Sequence, residues 1–159
     1  GYKSLNMNRV GDLPVFEEIK TLVHDARNAA GDGSNLGSVL YTRGMYAAML
    51  AAEAIAKAQE IHGVANVTPA MVRDGMEALE ITEARMEELG MGGVGPAFSV
   101  TCQNHGGSGL GIVQQWNASA GEWTALTDYI EANSDVTGPL ITEDSMAFAA
   151  ENSITPGCM

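Results

Sequence analysis

Residues 44–62, GMYAAMLAAEAIAKAQEIH, decide the fold class. They are good helix formers, and their first half, Met45 to Ala52, is apolar almost all round. A helix with no wet face in its first turns packs on more than one side. Glu53 and Lys57 stand one turn apart and mark where the helix meets solvent, a pairing worth about 0.3 kcal/mol. Gly63 ends it.

Upstream, Asp12 is placed to cap a helix with Pro14 in its first turn and Glu17-Glu18 at the positive end of the dipole. Val15, Phe16, Ile19, Leu22, Val23 and Ala26 recur at helical spacing. Residues 31–38 are a loop by composition, and Val39-Leu40-Tyr41 is either a short strand or a hinge. Downstream, Thr68-Pro69 opens a helix to Leu79, and Thr82 caps another that Gly90 closes. Ala97 to Cys102 alternates like a half-buried strand. Ile112–Trp116 and Glu122–Leu126 flank a five-residue turn and predict a hairpin. A last helix is expected from about Thr142 to Asn152. Helices, then strands, then a helix give an α/β or α+β order, with too few strands for a complete sheet.

The 159 residues are 45% hydrophobic and 18% charged, which suits a folded domain rather than a disordered tail. About 150 residues bury roughly two-thirds of the unfolded surface without dense cross-linking. A formal charge of −12 repels phosphate backbones, so nucleic acid and anionic membrane are excluded as partners. There is no run of about 18 apolar residues, so the chain is not expected to span a membrane.

His24, His62 and His105 are isolated from one another, and His24 and His62 fit helix C-terminal dipoles. Cys102-x-x-His105 has ligand-like spacing, but the second cysteine lies far away at 158, so neither a metal site nor another cofactor is expected. Gly107–Gly111 is glycine-rich like a phosphate loop but runs into a β segment and has no lysine. No nucleophile and base can be paired, so the chain is read as a non-enzyme. Asn117-Ala118-Ser119 matches a glycosylation pattern but reads as a turn. Cys102 and Cys158 are either two buried thiols or one bridge, and a bridge would contribute roughly 4 kcal/mol by loop closure.

Several stretches together resemble the C-terminal part of type I periplasmic solute-binding proteins, the group related to the leucine/isoleucine/valine-binding proteins of ABC importers. Leu40-Tyr41-Thr42-Arg43-Gly44 running into Ala51–Ile55 is similar to the family's "YNRG…VEAI". Gly75–Leu79 with Ala84-Arg85, and Ser99–His105, resemble "GLE.L….AR" and "VSC.DH". Val113–Trp116 and Ala149–Pro156 follow in the same order.

The resemblance implies a fragment of a two-lobed α/β fold, each lobe a three-layer α/β/α sandwich, with a C-terminal β-hairpin and helix. Residues 1–40 would end the second lobe, 41–101 form the helical part of the first, and 102–159 supply a crossover, hairpin and tail. It implies a periplasmic protein of an ABC transporter that closes its lobes on an amino-acid-like, amide, urea or aromatic-acid ligand. A ligand-sensing domain of the same fold in a receptor or regulator is the alternative. Tyr41, Thr42 and Arg43, at a crossover before a helix, and Tyr46 would be the ligand contacts, and hinge packing for Tyr41 and a structural ion pair for Arg43 are the equal alternatives. The partners would be the ligand, ABC permease subunits and the missing N-terminal part of the same protein. Export further implies a Cys102–Cys158 disulfide. Under denaturing, non-reducing conditions a bridged chain reacts with no thiol reagent; two reactive thiols per chain would place it in a reducing compartment.

Overall fold

The computed structural model describes residues 2–3, 13–155 and 157. Its elements, in order, are β1 (Tyr2–Lys3), α1 (Pro14–Ile19), a π-helical turn (Lys20–Asp25), α2 (Val39–His62), α3 (Pro69–Glu77), β2 (Glu80–Ile81) and α4 (Glu83–Glu88). There follow β3 (Phe98–Ser99), β4 (Leu110–Asn117), β5 (Glu122–Ala125), β6 (Ile130–Glu131) and α5 (Ser134–Glu151). The architecture is mixed α/β with small antiparallel sheets. β4 is the central strand, pairing with β1, β5 and β6, while β2 and β3 form a separate two-stranded ribbon.

Helix starts follow their caps. The Thr68 and Thr82 hydroxyls accept from the Met71 and Arg85 amides, as the sequence predicts, with Pro69 in the first turn of α3. Gly63 closes α2 in the left-handed region at φ 64°. α2, however, begins at Val39 rather than Gly44, because the Ser38 hydroxyl accepts from the Tyr41 amide and nucleates a turn there. α1 has Leu13 at its N-cap, and the expected cap Asp12 lies outside the described residues. Its helical spacing continues only as the π-turn. α5 starts at Ser134, eight residues before the expected Thr142, and runs through Pro139. A proline removes one intrahelical donor, so the sequence reading placed the start after it.

The core gathers Leu13 and Phe16 from the N-terminal segment with Leu79, Ile81, Met86, Met91 and Val94. Tyr41, Met45, Tyr46, Met49 and Leu50 on the inner face of α2 close over it. Leu13, Val15, Phe16 and Ile19 thus pack into one core with residues of the 41–101 segment. α2 is not enclosed all round. Gly44, Ala47, Ala48, Ala51 and Ala52 face outward and are exposed.

α2 and α3 meet through Ala54, Ala58 and Gly75, all buried. A Cβ on Gly75 would press on the Ala54 carbonyl and lie 2.8 Å from the Ala58 amide nitrogen. Both are backbone and cannot give way. Gly75→Ala is therefore expected to cost about 1–3 kcal/mol by overpacking, whereas Gly44→Ala, which meets nothing within 4 Å, should gain up to about 1 kcal/mol of helix propensity. Urea midpoints of the two variants check this, and a neutral Gly75→Ala would contradict the close approach.

Candidate functional site

Two cavities flank the α2–α3 pair. The first, of about 400 Å³, is lined by Glu53, Lys57, Glu60, Leu79, Glu80 and Arg85. Its cations have partners of their own. Arg85 donates to both Glu53 oxygens, at 2.8 and 3.0 Å, and to Glu88 at 3.0 Å, while Lys57 pairs with Glu60 at 3.0 Å. The intrahelical Glu53–Lys57 pair expected from spacing is thus replaced by a bidentate bond from α2 to α4, the stronger geometry for a carboxylate. This cavity is a structural seam.

The second, of about 360 Å³, lies between α2, α3 and β3. Leu50, Met76, Phe98 and Val100 give it an apolar lining, and Arg73, Glu77 and His105 carry its polar groups. Its volume falls within the usual range for small-molecule sites.

His105 is placed there by a built turn. The amides of Thr101 and Asn104 each donate to the other's carbonyl at 3.1 Å. The Asn104 side chain accepts from the Gly106 amide at 3.0 Å and donates to the Gly107 carbonyl at 3.2 Å. At Gly107, φ is +74° and a Cβ would lie 2.5 Å from the Phe98 ring, so only glycine lets the loop close against this wall. His105 Nε2 then stands 3.5 Å from Glu77 Oε1. Arg73 bonds Asp74 at 2.8 Å, and Asp74 also lies 3.1 Å from His62 Nε2 at the end of α2. The Arg73 guanidinium first, and His62 second, hold the Asp74 carboxyl below the usual carboxylate range.

The sequence-predicted contacts lie elsewhere. Tyr41, Thr42 and Arg43 form the first turn of α2 rather than a crossover before it. Tyr41 packs edge-on against Phe16 at 6.2 Å, Thr42 is fully buried and donates to the Ser38 carbonyl at 3.1 Å, and Arg43 is exposed. Tyr46 is half-buried, and that burial pushes its phenol above the ordinary range. Cys102 is disulfide-bonded; its expected partner, Cys158, lies outside the described residues. His24, read as a dipole partner, lies in the last turn of the π-helix with both ring nitrogens buried and no hydrogen-bond partner. Among the described residues, no three His, Cys, Asp or Glu side chains gather as metal ligands. The sequence reading missed the Glu77–His105 pairing; its only signal was Asn104-His105-Gly106-Gly107, a turn with one titratable group.

No family model and no curated protein matches the chain. A solved structure does, described as the crystal structure of an ABC transporter permease from the Pseudomonas fluorescens group. The chain is similar to that permease. Identity is 30% and the TM-score 0.83, over 99% of this chain and 38% of the other, so the chain spans little more than a third of its neighbour's length. This corrects the expected function. A solute-binding protein that closes on its ligand, and the sensing domain that was its alternative, are not what the similar protein is described as. The motifs behind that expectation are short stretches spread over α2, α3, α4, β4 and α5, and likeness of such stretches does not carry role.

The Glu53–Arg85 pair yields a pH prediction. Hydrogen bonding to Arg85 holds the Glu53 carboxyl below its ordinary 4.5. Its contribution to stability is present above that value and is lost as pH falls through the depressed folded one. Glu53→Gln is expected to lower the urea midpoint at neutral pH, with the gap to wild type closing in acid below pH 4.5. A gap that persists unchanged in acid would show the loss to be packing rather than charge.

Proposed function

We propose that this chain is part of a non-enzymatic component of an ABC transporter, lying on the oxidising side of the membrane and working by assembly with the transporter's other subunits. The observation that carries this reading is the 30% identity and TM-score of 0.83 to the described permease over nearly the whole chain. The disulfide at Cys102 supports an extracytoplasmic place, since such bonds persist in oxidising compartments. Among the described residues no helix is long and apolar enough to cross a membrane, so the membrane-crossing part of the transporter is assigned to other segments or subunits. A two-lobed α/β architecture of the type I kind is the finer proposal for a polypeptide of the neighbour's length, of which this chain would be one part.

The outer surface supports assembly. α5 is 18 residues long and has no buried residue, and Val136, Leu140, Ile141, Met146 and Phe148 are all exposed on it. They are spread round the helix rather than along one side, and so much exposed apolar surface is unusual on a protein that works alone.

Deletion of the gene should abolish an ATP-dependent transport activity that the intact gene restores, and the tagged gene product should co-purify with an ABC ATPase. Leu140→Glu with Phe148→Glu should weaken that co-purification while leaving the thermal midpoint in place, because neither side chain is buried. Unchanged transport and no ATPase in the purified complex would overturn the assignment.

A further inference from the structure

We propose that the cavity over Leu50, Met76 and Phe98 binds an organic ammonium ion with an apolar body, whose charged head takes the place of His105 at Glu77. This goes beyond the transporter assignment and does not depend on it. The lining sets the body of the ligand. Leu50, Met76, Phe98 and the buried Val100 offer an apolar surface, and about 360 Å³ is room for a phenylalkyl or cycloalkyl group.

The charges set the head. Glu77 is the most enclosed ionisable group at the cavity, its side chain 23% exposed, against 64% for His105 and 68% for Arg73. Arg73 is the competing cation, but Asp74 holds its guanidinium at 2.8 Å and most of it lies in water, so it acts on Glu77 through its field and not through a hydrogen bond. His105 stands 3.5 Å from the Glu77 carboxylate, well beyond the 2.7–2.9 Å of a charge-assisted hydrogen bond. A carboxylate facing an apolar cavity with so loose a partner gains from a closer cation. An anionic head would instead meet the enclosed Glu77 carboxylate, while Asp74 keeps Arg73 engaged, in a chain of net charge −12 whose field draws cations toward it. The same chemistry is presented by a free amine and by a lysine side chain.

The test uses the natural gene product labelled at its methionine methyl groups, with the Met76 resonance as the reporter. 2-Phenylethylammonium is titrated against the neutral 2-phenylethanol, the anionic 3-phenylpropanoate and capped lysine amide. The ammonium should shift Met76 saturably, with the alcohol weaker by about tenfold or more and the carboxylate without effect, as loss of one charged partner predicts. Glu77→Gln should reduce ammonium affinity by a similar factor while leaving the other methionine signals in place, which excludes unfolding as the cause. His105→Ala should tighten binding, the opposite of what a merely structural or ligand-holding histidine would give. Tighter binding of the capped lysine than of phenylethylammonium assigns the head group to a protein side chain, and the reverse to a free amine; both support the ammonium class. Equal binding of the carboxylate, unchanged affinity in Glu77→Gln, or no shift of Met76 with either amine at millimolar concentration overturns the proposal.

Discussion

The close approach of α2 and α3 at Gly75 is the constraint on which the rest of the structure depends. With Ala54 and Ala58 facing a residue that has no side chain, the two helices approach backbone to backbone. That contact sets Leu50 beside Met76 as walls of one cavity and brings His62 within 3.1 Å of Asp74 at the far end of the pair. Beyond α3 the β2–β3 ribbon carries Phe98 back to the same cavity. Glycine weakens a helix interior by about 1 kcal/mol relative to alanine. Its presence inside α3 makes sense only through this packing.

Charge separates the two cavities that this packing creates. On one side Arg85 spans α2 and α4 with a bidentate bond to Glu53, and the neighbouring cation is held by its own helix. The Lys57–Glu60 pair is water-exposed and contributes little, whereas the Arg85–Glu53 bond is partly buried and ties two helices together. On the other side Glu77 faces an apolar wall with a distant, mostly exposed histidine. Similar volumes thus carry different chemistry, because in one Glu53 and Glu60 are already bonded to the cations of the lining.

Legibility in the sequence tracked the range of the interaction. Thr68-Pro69, Thr82, Gly63 and the hairpin turn around Asn117 act within four residues, and each stands where the sequence places it; the Asn117 carboxamide accepts from Ser119 and Ala120 in the turn itself. Val39-Leu40-Tyr41 was misread because its apolar, partly β-branched composition hides a helix start that the Ser38 cap enforces. Pro139 hid the start of α5 in the same way. Glu53–Arg85 and Glu77–His105 join residues 32 and 28 positions apart, beyond any local pattern. The functional expectation failed for a related cause: short colinear motifs carry local backbone preference, and role does not reside there.

The hairpin of β4 and β5 carries both tryptophans of the chain, Trp116 and Trp123, as a directly opposed cross-strand pair with ring centroids 5.5 Å apart and planes at 62°. All of the intrinsic tryptophan emission therefore originates from a single ribbon. An optical melting curve recorded from it follows the parting of β4 and β5, and it is blind to α2, α3 and the cavity between them unless these come apart in the same transition.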